Sequence, residues 1–207
     1  MLKRWLSLPL LALSLIAGPA AALSAADQIE IGKAETFLNG ISTLKAHLLQ
    51  ISPDGSTSEG TFYLKRPGHL RLEYDPPNTT LVRASAKYLY YTDKDDAAQR
   101  AYADIDNMPA LNVLMESQVD LNKGKLMVTG VGHAPGITRI TVTNRDEPGQ
   151  GKITLVFTDA PYTLKQWQVL DPQGQTTTVS LYDAHTGLDL DDGLFNFPEP
   201  NEKRKRF

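Results

Sequence analysis

The side chains that could do chemistry in this 207-residue chain are scattered rather than gathered. His47, His69, His133 and His185 lie far apart, and none has a partner at metal-ligand spacing. Asp189-Leu190-Asp191-Asp192-Gly193 approaches a calcium loop. Its third acid falls one place early, however, and no Glu follows at the required distance. It reads as an acidic turn. Gly130-Val131-Gly132 with Gly136 imitates a glycine fingerprint, but the last spacing is wrong and a strand pattern follows instead of a helix. There is no Gly-x-Ser-x-Gly elbow, and with no cysteine there is no thiol nucleophile. Asn78-Thr79-Thr80 is a glycosylation sequon by letter, meaningful only in a eukaryotic secretory route. Nothing here supports an enzyme, a metal or a cofactor. One charged residue still needs a reason. In Tyr63–Pro77 two alternating runs are joined by Arg66-Pro67-Gly68. Pro-Gly makes the turn; it does not require an arginine beside the apolar face of a sheet.

The elements around Arg66 follow from periodicity. Asp27 to Ile41 reads as an amphipathic helix capped by Asp27, with Ile31, Ala34, Phe37, Leu38 and Ile41 on one stripe and Gly40 as its stop. From Ser42 the period becomes two. Strands are expected at 44–52, 59–65, 69–74, 80–85, 88–92 and 99–104, then at 125–131, 137–144, 152–159, 164–171, 176–182 and 194–197. Turn residues separate them, and no helices alternate with them, so the sheet is antiparallel and curls into a sandwich or barrel. Pro109–Glu116 breaks the pattern as a short helix with Leu111, Leu114 and Met115 along one stripe. It either plugs one end of a barrel or forms a lid over an apolar cavity. The apolar residues of the strands that would line such a cavity are Phe62, Leu64, Leu70, Leu72, Tyr74, Tyr88, Tyr90 and Trp167. Periodicity does not separate a filled core from a pocket for acyl chains, in which each buried methylene is worth about 0.8 kcal/mol.

Both ends of the chain bear on its location. Lys3 and Arg4 precede an apolar run from Trp5 to Ala17, and small residues follow at Ala20–Ala22. Residues 1–22 read as a secretory signal peptide, cleaved after Ala22 or alternatively after Ala26. Residues 23–207 then form a single domain. No cysteine follows to carry a lipid anchor, and no second apolar run is long enough to span a membrane. The formal charge of −3 becomes −5 once Lys3 and Arg4 leave, which argues against nucleic acid as a partner. The only basic cluster, Lys203–Arg206, reads as a solvated tail or as a contact for anionic headgroups or an acidic partner.

The block Gly60–Tyr74, with Pro76-Pro77, Leu81-Val82, Lys87–Tyr91 and Asp93 after it, resembles the signature region of the LolA family. The N-terminal helix, the Pro109–Glu116 helix and the tail Leu194–Pro198 agree with it. The resemblance implies an incomplete antiparallel β-barrel with a lid of short helices over a hydrophobic cavity, in a monomeric periplasmic protein. Such a carrier takes lipoproteins destined for the outer membrane from the inner-membrane Lol ABC transporter, shields their acyl chains, and passes them to a LolB-like outer-membrane receptor. It also implies a role for Arg66, as a latch that hydrogen-bonds lid-helix backbone groups. Some relatives carry aromatic residues after the Arg-Pro turn, where this chain has Leu70 and Leu72. The alternatives are a carrier or sensor of other lipids on the same fold, or an enzyme acting on an exported polymer or lipid.

Overall fold

Residues 23–85, 88–96, 100–105 and 108–196 are described by the structure, a computed structural model. Helix α1 (Ala25–Asn39) leads into two antiparallel meanders. The first comprises β1 (Thr43–Ile51), β2 (Thr57–Lys65), β3 (His69–Tyr74), β4 (Thr80–Ala84), β5 (Tyr88–Asp93) and β6 (Arg100–Asp104). Helix α2 (Pro109–Met115) then crosses to β7 (Leu126–Ala134), β8 (Ile137–Asn144), β9 (Lys152–Asp159), β10 (Tyr162–Leu170) and β11 (Thr176–Thr186). The meanders join where β1 pairs with β11, giving one sheet in the order β6-β5-β4-β3-β2-β1-β11-β10-β9-β8-β7. Its end strands β6 and β7 do not pair with one another, so the sheet curls around its core without closing. This is the mainly β, incomplete antiparallel barrel that the resemblance implied, where the pattern alone left sandwich and barrel open. Among the described residues, no helix is long and apolar enough to cross a membrane.

The core sits on the concave face of that sheet. Cross-strand partners share a face. Phe62 opposite Leu72, Leu64 opposite Leu70, and Leu70 opposite Ala84 therefore build one apolar wall. Trp167 opposite Leu155, with Ile140 next across, builds the facing one. The walls meet in a ring contact of 5.4 Å between Phe62 and Trp167. Helix α1 adds Ile31, Ala34 and Leu38, and α2 adds Val113, Leu114 and Met115, to the same cluster. Each such large side chain contributes about 1.5–3 kcal/mol by burial. Gly60 is fixed by packing, because a Cβ there would lie against the Glu73 carbonyl oxygen and 2.8 Å from Tyr74 Cα.

Three local readings change. The cap of α1 is Ser24, whose hydroxyl accepts from the Asp27 amide at 3.1 Å. Asp27 is its reciprocal partner, accepting from the Ser24 amide at 2.8 Å, and these bonds hold the Asp27 carboxyl below its usual range. The helix ends at Asn39 rather than Ile41. The expected strand at 194–197 is instead a 3-10 turn over Asp192–Phe195, started by Asp191 accepting from the Gly193 amide at 2.6 Å. An Asp that bonds the backbone two residues on selects a turn over a ladder. Gln99, Phe197 and the basic cluster at 203–206 lie outside the described residues, as does the signal segment 1–22.

Candidate functional site

The β2–β3 turn is built so that Arg66 reaches across the barrel mouth. Lys65 ends β2, the Arg66–Pro67 peptide is cis, and Gly68 takes φ 83° before β3 begins at His69. That positive φ suits glycine, which has no Cβ to clash. The Arg66 amide donates to the Ser42 carbonyl at 2.8 Å, and the Gly68 amide donates to the Met115 carbonyl at 2.9 Å. The turn thus already touches the end of α2 through its main chain.

The Arg66 guanidinium completes the junction. Nε donates to the Leu114 carbonyl at 2.7 Å, Nη2 to the Val113 carbonyl at 3.1 Å, and Nη1 to the Leu38 carbonyl at 2.5 Å. All three acceptors lie in the last turns of α1 and α2, where carbonyls lack the full helical ladder; the Leu38 carbonyl also takes the Ile41 amide at 3.2 Å. Both helices therefore present the negative ends of their dipoles to one cation. A planar fork with five N–H donors can serve both helices at once. Burial draws the Arg66 pKa down to about 10, against the pull of Glu116, so the group remains charged at neutral pH. Burial likewise raises the Glu116 carboxyl, with Arg66 opposing the shift.

A second set of contacts ties α1 to the segment after α2. The Asn39 side-chain amide donates to the Val119 carbonyl at 2.9 Å and accepts from the Val119 amide at 2.7 Å. Glu35 accepts from the Leu121 amide at 2.8 Å. Its carboxyl is raised by burial and by Asp120, partly offset by the Leu121 bond. Val119 and Leu121 are themselves buried. With these bonds α1, α2 and residues 116–121 form one cap over the barrel. Neither Glu35 nor Asn39 stood out in the sequence; the one signal was an amide directly before the Gly40 stop.

The apolar residues singled out from the sequence divide into two groups. Phe62, Leu64, Leu70, Tyr74 and Trp167 are buried on the concave face, and Leu72 is half-buried against them. Leu114 and Met115 are buried beneath the cap, and Leu111 packs at its margin. Tyr88 and Tyr90 require correction. Register pairs Leu89 with Ala84 and Tyr91 with Val82, so Leu89 and Tyr91 occupy the concave face. Tyr88 and Tyr90 stand on the opposite face, their rings 6.1 Å apart. Leu89 is buried and Tyr91 is 41% exposed, at the margin of the core. On the concave face Tyr74 Oη donates to Gln50 Oε1 at 2.6 Å. Burial pushes the Tyr74 hydroxyl up to about 12, with Tyr91 adding to the shift.

Beneath the cap Val113, Leu114 and Met115 belong to one buried cluster with Phe62, Leu64 and Leu70. Surface grooves of about 970 Å³ and about 570 Å³ flank α1, and neither is lined by the expected cavity residues. The larger is polar, with Glu35, Glu116 and Asp120 facing Lys123 and Lys125. His47 and His185 each meet a single carboxylate at the surface, Glu59 at 3.3 Å and Asp183 at 3.1 Å. Among the described residues no group of histidines and carboxylates could hold a metal ion.

Comparison with known proteins is consistent with this architecture. An outer-membrane lipoprotein carrier protein of Methylococcus capsulatus is 27% identical over 185 residues, 86% of this chain and 87% of that protein. The protein of the same description from Azotobacter vinelandii is 28% identical, over 84% of this chain and 86% of its own length. Among solved structures, a DUF1329 family protein from Desulfovibrio piger shares the fold at a TM-score of 0.53 and 11% identity, covering 81% of this chain and 95% of that one. The family model for the outer membrane lipoprotein carrier protein LolA matches residues 39–198, and the chain belongs to the LolA family.

Proposed function

We propose that this chain is a non-enzymatic periplasmic carrier of lipoproteins bound for the outer membrane. It takes them from the Lol ABC transporter of the inner membrane and delivers them to a LolB-like receptor. The observation that carries the reading is the cap: two helix C-termini held by one buried guanidinium, with Val113, Leu114 and Met115 seated on the concave face. Release of the three carbonyls lets these side chains leave, and the apolar wall of Phe62, Leu64, Leu70, Leu72 and Trp167 takes the acyl chains in their place. Tyr74 closes the wall at its polar end. Arg66 is then a latch, and the cap a lid that closes when cargo departs. The lid shields apolar surface that would otherwise face water between deliveries.

The same reading orders the ends of the chain. Cleavage after Ala22 leaves the Ser24–Asp27 capping box intact, whereas cleavage after Ala26 would remove its Ser24 half. The mature protein begins at Leu23 and acts as a monomer, since the carrier needs only its own barrel and lid. Depletion in cells tests the proposal. Outer-membrane lipoproteins should then accumulate at the inner membrane, and normal sorting under depletion would reject it.

A further inference from the structure

The chain after β11 runs across the convex face of the sheet, and the way it is fastened points back to Arg66. The Gly187 amide donates to the Thr43 carbonyl at 3.2 Å, and Thr43 Oγ1 donates to the Leu188 carbonyl at 2.8 Å. Lys65 Nζ then donates to the Leu190 carbonyl at 2.8 Å and to Asp192 Oδ1 at 2.5 Å. On the next strand, Arg71 Nη1 donates to the Leu194 carbonyl at 2.8 Å. On the next again, Arg83 Nη1 donates to the Asn196 carbonyl at 3.0 Å. Phe195 is buried, its ring 5.6 Å from that of His69. One segment is therefore held by cations from β2, β3 and β4 in turn, almost wholly through its main chain.

The cations of neighbouring strands face the segment together. Arg71 and Arg83 are direct cross-strand partners, and like charges in that position are destabilising. Glu73 offsets the pair through Arg71, at 2.7 and 3.2 Å, and the segment's carbonyls accept one bond from each arginine. Successive side chains at a strand end leave on opposite faces. Lys65 holds the segment on the convex side, and its neighbour Arg66 holds the lid on the concave side. His69, the first residue past the turn, is held on the convex side as well. The five-residue turn 65–69 is thus gripped from both faces.

We infer that residues 187–196 are a strap whose docking on Lys65 and His69 positions Arg66 for the latch. This rests on the latch reading above. With the strap in place the turn has one orientation, and the guanidinium meets its three carbonyls without first being ordered. With the strap loosened, the turn is held by its main-chain bonds to Ser42 and Met115, and the lid opens more often.

Hydrogen exchange in the mature protein tests the strap and the latch separately. The Gly68, Val119 and Leu121 amides report on the lid, because they bond to Met115, Asn39 and Glu35. The Ile140 and Leu155 amides, in β8 and β9 away from the strap, report on the fold. Arg66→Leu is the reference. Lys65→Met and Phe195→Ala loosen the strap, and Lys65→Arg preserves it. The strap variants should exchange about tenfold faster at the lid amides, as for loss of one charge-assisted bond, with the sheet amides unchanged and Lys65→Arg near wild type. Faster exchange in Arg66→Leu but not in the strap variants overturns the strap. Equal acceleration at lid and sheet amides also overturns it, as simple destabilisation. No acceleration in Arg66→Leu overturns the latch, and the strap with it.

Discussion

Replacing Arg66 by leucine removes three hydrogen bonds, to Leu114, Val113 and Leu38, while keeping an aliphatic side chain at the mouth. Hydrogen bonds to a charged group contribute about 1.5–3 kcal/mol each, so the gross loss is on the order of 6 kcal/mol. Burial opposes part of this, as the pKa drawn down to about 10 shows. The open lid also returns its carbonyls to water rather than leaving them unpaired. The net effect on lid closure is therefore about 2 kcal/mol, or roughly a 30-fold rise in the ratio of open to closed lid. Binding of a fluorescent acyl probe, followed by stopped flow beside far-ultraviolet circular dichroism, measures it. The variant should take up probe roughly 30-fold faster, keep its β-sheet signal, and release cargo poorly, because a closed lid no longer competes with bound acyl chains. Arg66→Lys should fall between, since a compact ammonium cannot serve carbonyls on two helices as a fork does. Unchanged probe uptake, or loss of the β-sheet signal, would refute the reasoning.

Two further substitutions follow from contacts of the lid and sheet. Folding raises the Glu35 carboxyl pKa, chiefly by burial, so this group's stabilisation is full below its ordinary value and is lost as pH rises through the raised one. Glu35→Gln keeps the acceptor for Leu121 without the desolvated charge. It should melt above wild type at neutral pH, and the difference should vanish near about pH 4; a variant less stable at neutral pH contradicts the assignment. Gly60→Ala should force β2 away from β3, because its Cβ would meet the Glu73 carbonyl and Tyr74 Cα. Overpacking costs about 1–3 kcal/mol, and at about 2–4 °C per kcal/mol for a chain of this size the melting temperature should fall by several degrees. An unchanged melting temperature would show that the strands part without strain.

How much of this was legible depends on whether side chains or main chain carried it. The strands on both sides of Arg66 were readable because apolar and polar residues alternate cleanly in Leu70–Tyr74. Parity failed in β5 for a local reason: Tyr88-Leu89-Tyr90-Tyr91 is apolar or aromatic on both faces, so period two holds without saying which face is inside. Arg66 was visible as a surplus charge, but its acceptors are three backbone carbonyls on two helices, and carbonyls leave no trace in residue types. The strap was missed for the same reason, as Lys65, Arg71 and Arg83 all grip main chain. In place of the strap, Phe195 next to other apolar residues suggested a final strand. Asn39 and Glu35 reach partners 80 and 86 positions away, at Val119 and Leu121, a distance that no local pattern encodes.

The central claim is that the concave face beneath the lid receives lipoprotein acyl chains. Native mass spectrometry of the mature protein, released gently from the periplasm of cells that export lipoproteins, tests it most directly. The account predicts adducts with the mass of triacylated lipoprotein, displaced when Leu72 or Phe62 is replaced by a charged residue. Free phospholipid as the sole adduct would indicate a carrier of other lipids, and protein free of any adduct would contradict acyl-chain carriage.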